Sequence, residues 1–183
     1  MPLLGAHQVE NACCALGAIE ALSDRGYTVH PGSVEAGFSR VEWPGRLEVL
    51  KTSPLVIVDG AHNPHSMQRL VQALQYQLNY KECILVIGLS KGHDFDGIIT
   101  AVSVLKPKLV VTTSSRHPRA FPAPEIALAF SKLGLLTKEA GCVADGMEMA
   151  LTYAGSEDLI IGTGSLFTVA EVREYLLEIP AEI

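Results

Sequence analysis

The apolar run Leu55-Val56-Ile57-Val58 stops abruptly at Asp59-Gly60-Ala61-His62-Asn63-Pro64-His65. An unbroken apolar run leaves no polar face for water, so it suits a strand buried on both sides of a parallel sheet. At its carboxyl end come an acid, a glycine and two histidines. Asn63-Pro64 then reads as the cap and first turn of a helix. In open α/β sheets, small ligands bind in the crevice outside the carboxyl ends of the strands. Asp59 and His62 therefore fall where chemistry is expected.

The rest of the chain repeats this grammar. Apolar runs predict strands at residues 47–50, 54–58, 83–87, 109–112 and 159–161, the first two joined as a hairpin through Lys51-Thr52-Ser53. Apolar residues at helical spacing predict helices at 66–78, 95–105, 124–133, 145–153 and 166–177. The strands are continuous rather than alternating. The expected fold is therefore α/β: a Rossmann-like, mostly parallel sheet with helices on both faces and right-handed crossovers. A short helical segment precedes it, with one helix at 7–22 stopped by Gly26 and a shorter one at 33–38. Trp43-Pro44-Gly45 reads as a hinge, which divides the chain at 1–42 and 43–183.

Composition narrows the classes of function. Hydrophobic residues make up 48% of the 183 and charged residues 19%, enough for a real core. The net charge is −6 and the 14 Lys and Arg are scattered, so no nucleic-acid surface is expected. Apolar runs are too short for a membrane span, and the start lacks the pattern of a signal peptide. Cys13, Cys14, Cys83 and Cys142 form no C-x-x-C pair and read as small buried side chains of a reducing, cytoplasmic compartment.

Each candidate site residue has an ordinary reading beside the functional one. Asp59 could accept two hydrogen bonds from a ribose diol, bind a metal through water or, as a plain turn residue, cap the next helix, and since Asn63-Pro64 supplies the cap and first turn, Asp59 is left free. His62 could donate to a phosphate oxygen. His62 and His65 are spaced for a metal, but the further ligands a zinc site needs are not in view, and His65 reads as an exposed helix residue. Arg46, at the hinge, could bind phosphate bidentately or be a surface arginine. Gly162-Thr163-Gly164-Ser165 allows close backbone approach before a helix N-terminus, with Ser165 as its cap. His93 and Asp94 lie at another strand end, with Asp94 alternatively a helix cap. Arg119, after a third strand, could bind an anion or be solvated. No G-x-x-x-x-G-K-[ST] loop occurs anywhere in the sequence.

Five segments in order carry a resemblance: Gly5-Ala6-His7-Gln8-Val9-Glu10-Asn11-Ala12, Trp43-Pro44-Gly45-Arg46-Leu47-Glu48, Asp59-Gly60-Ala61-His62-Asn63-Pro64, Pro118-Arg119-Ala120 and Thr163-Gly164-Ser165-Leu166-Phe167. The series resembles the carboxy-terminal part of folylpolyglutamate synthase/dihydrofolate synthase, in the Mur ligase superfamily. The resemblance implies a ligase in which ATP phosphorylates a folate or pteroate carboxylate and the amine of L-glutamate attacks the acyl phosphate. Magnesium and a potassium-like cation assist, and the catalytic work is positioning and electrostatics. The resemblance puts Asn11 on adenine, Arg46 on the ATP phosphates, Asp59 on the ribose and His62 near the transferring phosphate. It puts Ser165 on the incoming glutamate, with His93 and Asp94 in a substrate loop. There the family commonly reads D-K-D where this chain has Gly92-His93-Asp94, so a lysine gives way to a histidine whose charge depends on pH.

The family's amino-terminal ATPase domain carries the P-loop, the magnesium ligands and most of the folate pocket. Residues 1–42 resemble the tail of that domain and 43–183 its glutamate ligase partner. The expectation is a chain inactive alone, with the packing face of its first helix exposed and prone to self-association. The rival readings are a Mur-type peptidoglycan ligase domain, a non-catalytic nucleotide-binding or interaction module, and a metal hydrolase built on Asp59, His62, His93 and Asp94.

Overall fold

Within each central strand, successive side chains enter two different cores. The structure, a computed structural model, describes residues 2–181. Ile57, Leu85, Ile87 and Ile161 point into one core, and Val58, Ile84, Val86 and Ile160 into the other. Both sets are fully buried, as the unbroken apolar runs require. Each such side chain contributes about 1.5–3 kcal/mol by leaving water.

The strands are β1 (Glu48–Thr52), β2 (Leu55–Asp59), β3 (Cys83–Ile87), β4 (Leu109–Thr112), β5 (Thr137–Glu139) and β6 (Leu159–Thr163). They form one sheet in the order β1-β2-β6-β3-β4-β5. β1 and β2 make the expected antiparallel hairpin, and every other neighbouring pair is parallel. Helices α3 (Pro64–Gln77), α4 (Phe95–Ser103) and α5 (Ala123–Lys132) cover the first face through Met67, Leu74, Ile98, Val102, Ile126 and Phe130. Helices α6 (Val143–Tyr153) and α7 (Leu166–Leu177) cover the second through Val143, Met147, Val169 and Val172. This is the Rossmann-like, mostly parallel α/β sheet that the sequence predicts.

One strand escaped the sequence reading. β5 is Thr-Lys-Glu, with no buried residue. It is an edge strand, paired only with β4, so it needs no apolar run, and charge on an edge discourages pairing with other chains.

Two helices precede the sheet, α1 (Ala6–Asp24) and α2 (Pro31–Arg40). The one buried residue of α1 is Gln8, and α2 has none. The apolar stripe of α1 is left in solvent, with Val9 62% exposed and Leu16 and Leu22 also exposed. Cys13 and Cys14 are exposed too, and only Cys83 is fully buried. The expectation of four buried cysteines is thus corrected: the face of α1 that carries the first two packs against nothing among the described residues. No helix among those residues is long and apolar enough to cross a membrane.

Candidate functional site

The parallel register aligns the ends of β2 and β6, pairing Asp59 with Thr163. Thr163 Oγ1 donates to the Asp59 backbone carbonyl (2.7 Å). The Trp43-Pro44-Gly45 turn is fastened alongside, because Gly60 N–H donates to Gly45 O (2.8 Å). A Cβ on Gly60 would meet the tip of the exposed Leu166 side chain, so Gly60 lets that side chain lie close over the turn. Gly164 has φ +100°, and a Cβ on it would sit 2.7 Å from Gly88 O. The glycine turn after β6 therefore packs backbone to backbone against the end of β3.

The Asp59 carboxylate clamps this junction. Oδ2 accepts from Leu47 N–H (3.0 Å) and Oδ1 from Ala61 N–H (2.9 Å). The first bond holds Leu47 at φ 43°, a left-handed conformation that costs a non-glycine residue about 1–2 kcal/mol. The expectation that the Asn63 cap leaves Asp59 free is therefore corrected: Asn63 does cap α3, but two backbone donors occupy Asp59. Burial raises the Asp59 pKa, opposed by those two N–H groups and by the Arg46 charge. Each carboxylate oxygen keeps a second lone pair for a further donor.

Arg46 comes from the strained turn. Its guanidinium lies 5.4 Å from the centre of the Trp43 ring, and it has no acid partner among the salt bridges of the described residues. Glu48 braces the turn from behind, accepting from Gly45 N–H (2.6 Å) and lying 2.9 Å from Arg173 Nε.

His62 follows on the other side. Its Nδ1 is 2.8 Å from Gly60 O. A carbonyl only accepts, so Nδ1 carries the proton and Nε2 is left for another partner. The next residues start α3 with a capping box, in which Asn63 Oδ1 accepts from Ser66 N–H (2.9 Å) and Ser66 Oγ accepts from Asn63 N–H (3.1 Å). His62 is thereby fixed at both ends.

These groups open on one cleft of about 400 Å³, whose walls include Asn11, Arg46, Asp59 and His62. The structure thus brings together four of the residues singled out in the sequence. It adds His7, Glu10 and Arg69, which sequence reasoning missed as site residues. Arg69 Nη2 lies 3.6 Å from Glu10 Oε2, joining α3 to α1 across 59 positions. No local spacing signals such a pair, although His7 and Glu10 stand within the Gly5–Ala12 segment. Gln8 links the helix's first turn, meeting His7 Nε2 (3.0 Å) and accepting from Asn11 Nδ2 (3.0 Å). Burial lowers the His7 pKa, Asp59 pushes it back up, and Arg46 and Arg69 favour the neutral ring. His65 is exposed, as expected, yet reaches the mouth of the cleft.

The remaining candidates lie apart from the walls of this cleft. His93 is exposed, but its ring stands against that of His62, with centroids 4.9 Å apart. Asp94 is the cap of α4, accepting from Gly97 N–H (3.0 Å). Ser165 is buried and caps α7 through Phe167 N–H, with Ser90 Oγ 2.9 Å from its hydroxyl. Arg119 is exposed, and its carbonyl accepts from Lys91 N–H (2.7 Å). The four side chains of the metal-hydrolase reading do not converge. Among the described residues, no three His, Cys, Asp or Glu are placed to hold a metal ion.

A cleft that sets the Arg46 guanidinium, which has no acid partner among the described residues, beside amide and imidazole groups at a strand-end crevice suits a phosphorylated ligand. The family model described as "Mur ligase, glutamate ligase domain" matches residues 45–166. The dihydrofolate synthase/folylpolyglutamate synthase of Mycobacterium tuberculosis is 36% identical over 131 residues, which is 70% of this chain and 27% of that protein. The folylpolyglutamate synthase of Lacticaseibacillus casei is 26% identical over 97% of this chain and 40% of its own length. Among solved structures, the M. tuberculosis folylpolyglutamate synthase complexed with ADP superimposes with a TM-score of 0.88 at 30% identity, over 96% of this chain and 41% of that one. The E. coli FolC structure in complex with DHPP and ADP gives 0.85 at 26% identity, over 97% and 40%. The chain spans between a fifth and two fifths of the length of the curated relatives named here and of a haloarchaeal bifunctional relative.

Proposed function

The chain belongs to the Mur ligase family, of which it carries the glutamate ligase domain, and from that premise we propose that it forms the carboxy-terminal part of an ATP-dependent folate–glutamate amide ligase. The observation that carries this reading is the single cleft shared by Asn11, Arg46, Asp59 and His62, drawn from three of the five segments that carry the resemblance to folylpolyglutamate synthases. In the reaction, a folate or pteroate carboxylate takes the γ-phosphoryl group of ATP to form an acyl phosphate and ADP. The amine of L-glutamate then attacks the acyl carbon, and the amide forms with loss of phosphate and a proton.

The residues divide the work. Arg46, held over Trp43, pairs with phosphate oxygens, and its planar fork suits two oxygens at once. Asn11 presents its amide to the adenine. Asp59 uses its remaining lone pairs for the ribose hydroxyls while its bound N–H groups keep Arg46 in place. His62 faces the transferring phosphate. Ser165 and the loop carrying His93 and Asp94 lie on the side of the incoming glutamate. Magnesium would travel with ATP, but the described residues do not fit a resident magnesium site: the cleft's carboxylates are engaged, Asp59 by backbone donors and Glu10 by Arg69. Residues 1–42 read as the tail of the ATPase domain. These 183 residues contain no P-loop sequence, so turnover is expected to require the part of the ligase that does.

The test combines this chain with that P-loop part, as one polypeptide or two. Phosphate release from ATP should depend on both L-glutamate and dihydropteroate or tetrahydrofolate. Arg46→Gln should reduce it by ten-fold or more. Turnover that ignores the folate, or that prefers a peptidoglycan precursor, would refute the proposal.

A further inference from the structure

The side chain that α1 buries is a polar one, Gln8, which is 2% exposed. Packing alone favours an apolar residue at such a position. Both ends of the Gln8 amide are instead in use. Oε1 accepts from Asn11 Nδ2 (3.0 Å), and Nε2 lies 3.0 Å from His7 Nε2. An amide nitrogen only donates, so His7 Nε2 supplies a lone pair and the ring proton sits on Nδ1. The three side chains form a relay with a direction: Asn11 donates to Gln8, and Gln8 donates to His7. An asparagine amide without a neighbour turns over and offers its carbonyl and N–H in either order. Asn11 has given one N–H to Gln8, its one side-chain hydrogen bond among the described residues, so its carbonyl and remaining N–H keep a single order. That order complements a 6-aminopurine, which sets an N–H donor beside a ring-nitrogen acceptor, and not a 6-oxopurine, whose O6 is an acceptor. We infer that Gln8 is a positioning residue that fixes the Asn11 amide and thereby selects a 6-aminopurine nucleotide over a 6-oxopurine one.

The inference rests on the reading that sets Asn11 against the base of a nucleotide. Asn11 lines the cleft, whereas Gln8 lies behind it and acts through Asn11. The relay also depends on the charge of His7. A proton on His7 Nε2 would face the Gln8 donor, so Gln8 would have to turn over, and Asn11 with it. The groups around the ring are Asp59 at the end of β2, Arg46 from the hinge, Glu10 from α1, and His65, Arg69 and Tyr76 from α3. Burial lowers the His7 pKa, Asp59 and Glu10 raise it, and Arg46 and Arg69 lower it. The net direction is down, so the ring stays neutral to lower pH than an ordinary imidazole. The base preference should therefore hold at neutral pH and decline as acid protonates His7.

Calorimetric titration with ADP and IDP, on this chain combined with the P-loop part of the ligase, tests the inference. The two nucleotides differ in one edge of the base: a 6-amino group beside a bare N1 in ADP, a 6-oxo group beside N1–H in IDP. ADP should be preferred by about ten-fold or more, the discrimination expected of one two-bond amide contact. Gln8→Leu should bring the two affinities to within roughly three-fold of each other. Gln8→Glu should restore the preference and free it from pH, since a carboxylate accepts from Asn11 whatever the state of His7. A merely structural loss would weaken ADP and IDP alike and leave their ratio unmoved. On this chain without nucleotide, nitrogen NMR should find the His7 proton on Nδ1 at pH 8. A ratio that Gln8→Leu leaves unchanged, a Gln8→Glu variant no more selective than Gln8→Leu, or a His7 proton on Nε2 at pH 8 would overturn the inference. Folate-dependent turnover with an unmoved ratio would count against this inference alone. Folate-independent turnover with a ratio that follows Gln8 would count against the ligase reading alone, and no binding of either nucleotide would sink both.

Discussion

Arg46 and Asp59 show at the residue scale how one turn separates binding from support. Asp59 holds two buried N–H groups, and removing an acceptor from such donors costs about 1–3 kcal/mol. Arg46 touches only the Trp43 ring among its recorded partners. Asp59→Ala should therefore lower the midpoint of urea unfolding and loosen the Arg46 turn, whereas Arg46→Gln should leave the midpoint alone and weaken nucleotide binding. Trp43 is the only tryptophan, so its fluorescence reports both. Equal stability for the two variants would deny the clamp. The raised pKa of Asp59 sets a sign as well. Its contribution favours the fold most below the ordinary value of 3.8 and fades as pH rises through the raised folded value. The thiols also diverge: burial pushes Cys83 up to about 12, while Cys13 and Cys14 are exposed. A thiol reagent at pH 8 should modify Cys13 and Cys14 readily and reach Cys83 only on unfolding.

At the scale of elements, α3 and α1 meet the same cleft with opposite packing. α3 buries Met67, Leu70, Val71 and Leu74 and starts from a full capping box. α1 contributes His7, Glu10 and Asn11 to the cleft but is held by polar contacts at its first turns, including Gly5 N–H to Gln77 Oε1 (2.9 Å). Asn63→Ala should destabilise the sheet domain by about 1 kcal/mol and loosen His62, since the cap precedes the first helical residue. The expected reading is a drop in melting temperature together with broadened His62 ring signals. An unchanged melting temperature would mean that Ser66 alone secures the helix start.

For the whole molecule, the sheet has a chemical end and a structural end. Asp59, Gly88 and Thr163 gather at the carboxyl ends of the strands, and Lys108, Glu82 and Asp158 at the amino ends. Lys108 Nζ is 2.7 Å from Asp158 Oδ2 and 3.1 Å from Glu82 Oε2. Burial works to raise Asp158, but the bonds from Lys108 and Gly155 N–H outweigh it, and the net pKa is lowered. Its stabilising contribution is present above the ordinary value of 3.8 and is lost as pH falls through the lower folded value. The raised Lys108 contributes below its ordinary 10.5, a contribution lost as pH rises through the raised folded value. Asp158→Asn should flatten the acid limb of stability against pH while lowering stability at pH 7. An unchanged acid limb would place that limb's origin elsewhere.

Local pattern was enough for most of the architecture. The buried runs at 83–87 and 109–112 coincide with β3 and β4, because a strand covered on both faces must be apolar throughout. The turn after β6 was legible for a similar reason: Gly164 marks a place where no side chain fits. β5 was not legible, since an edge strand needs only a neighbour and not a hydrophobic sequence. Nor were the double tethering of Asp59, the Glu10–Arg69 pair or the contact of His62 with His93. Each joins segments far apart in the chain or fixes which oxygen faces which N–H. Periodicity determines what must be buried, and only the folded sheet decides which polar groups, once brought to its edge, are occupied and which remain free to bind.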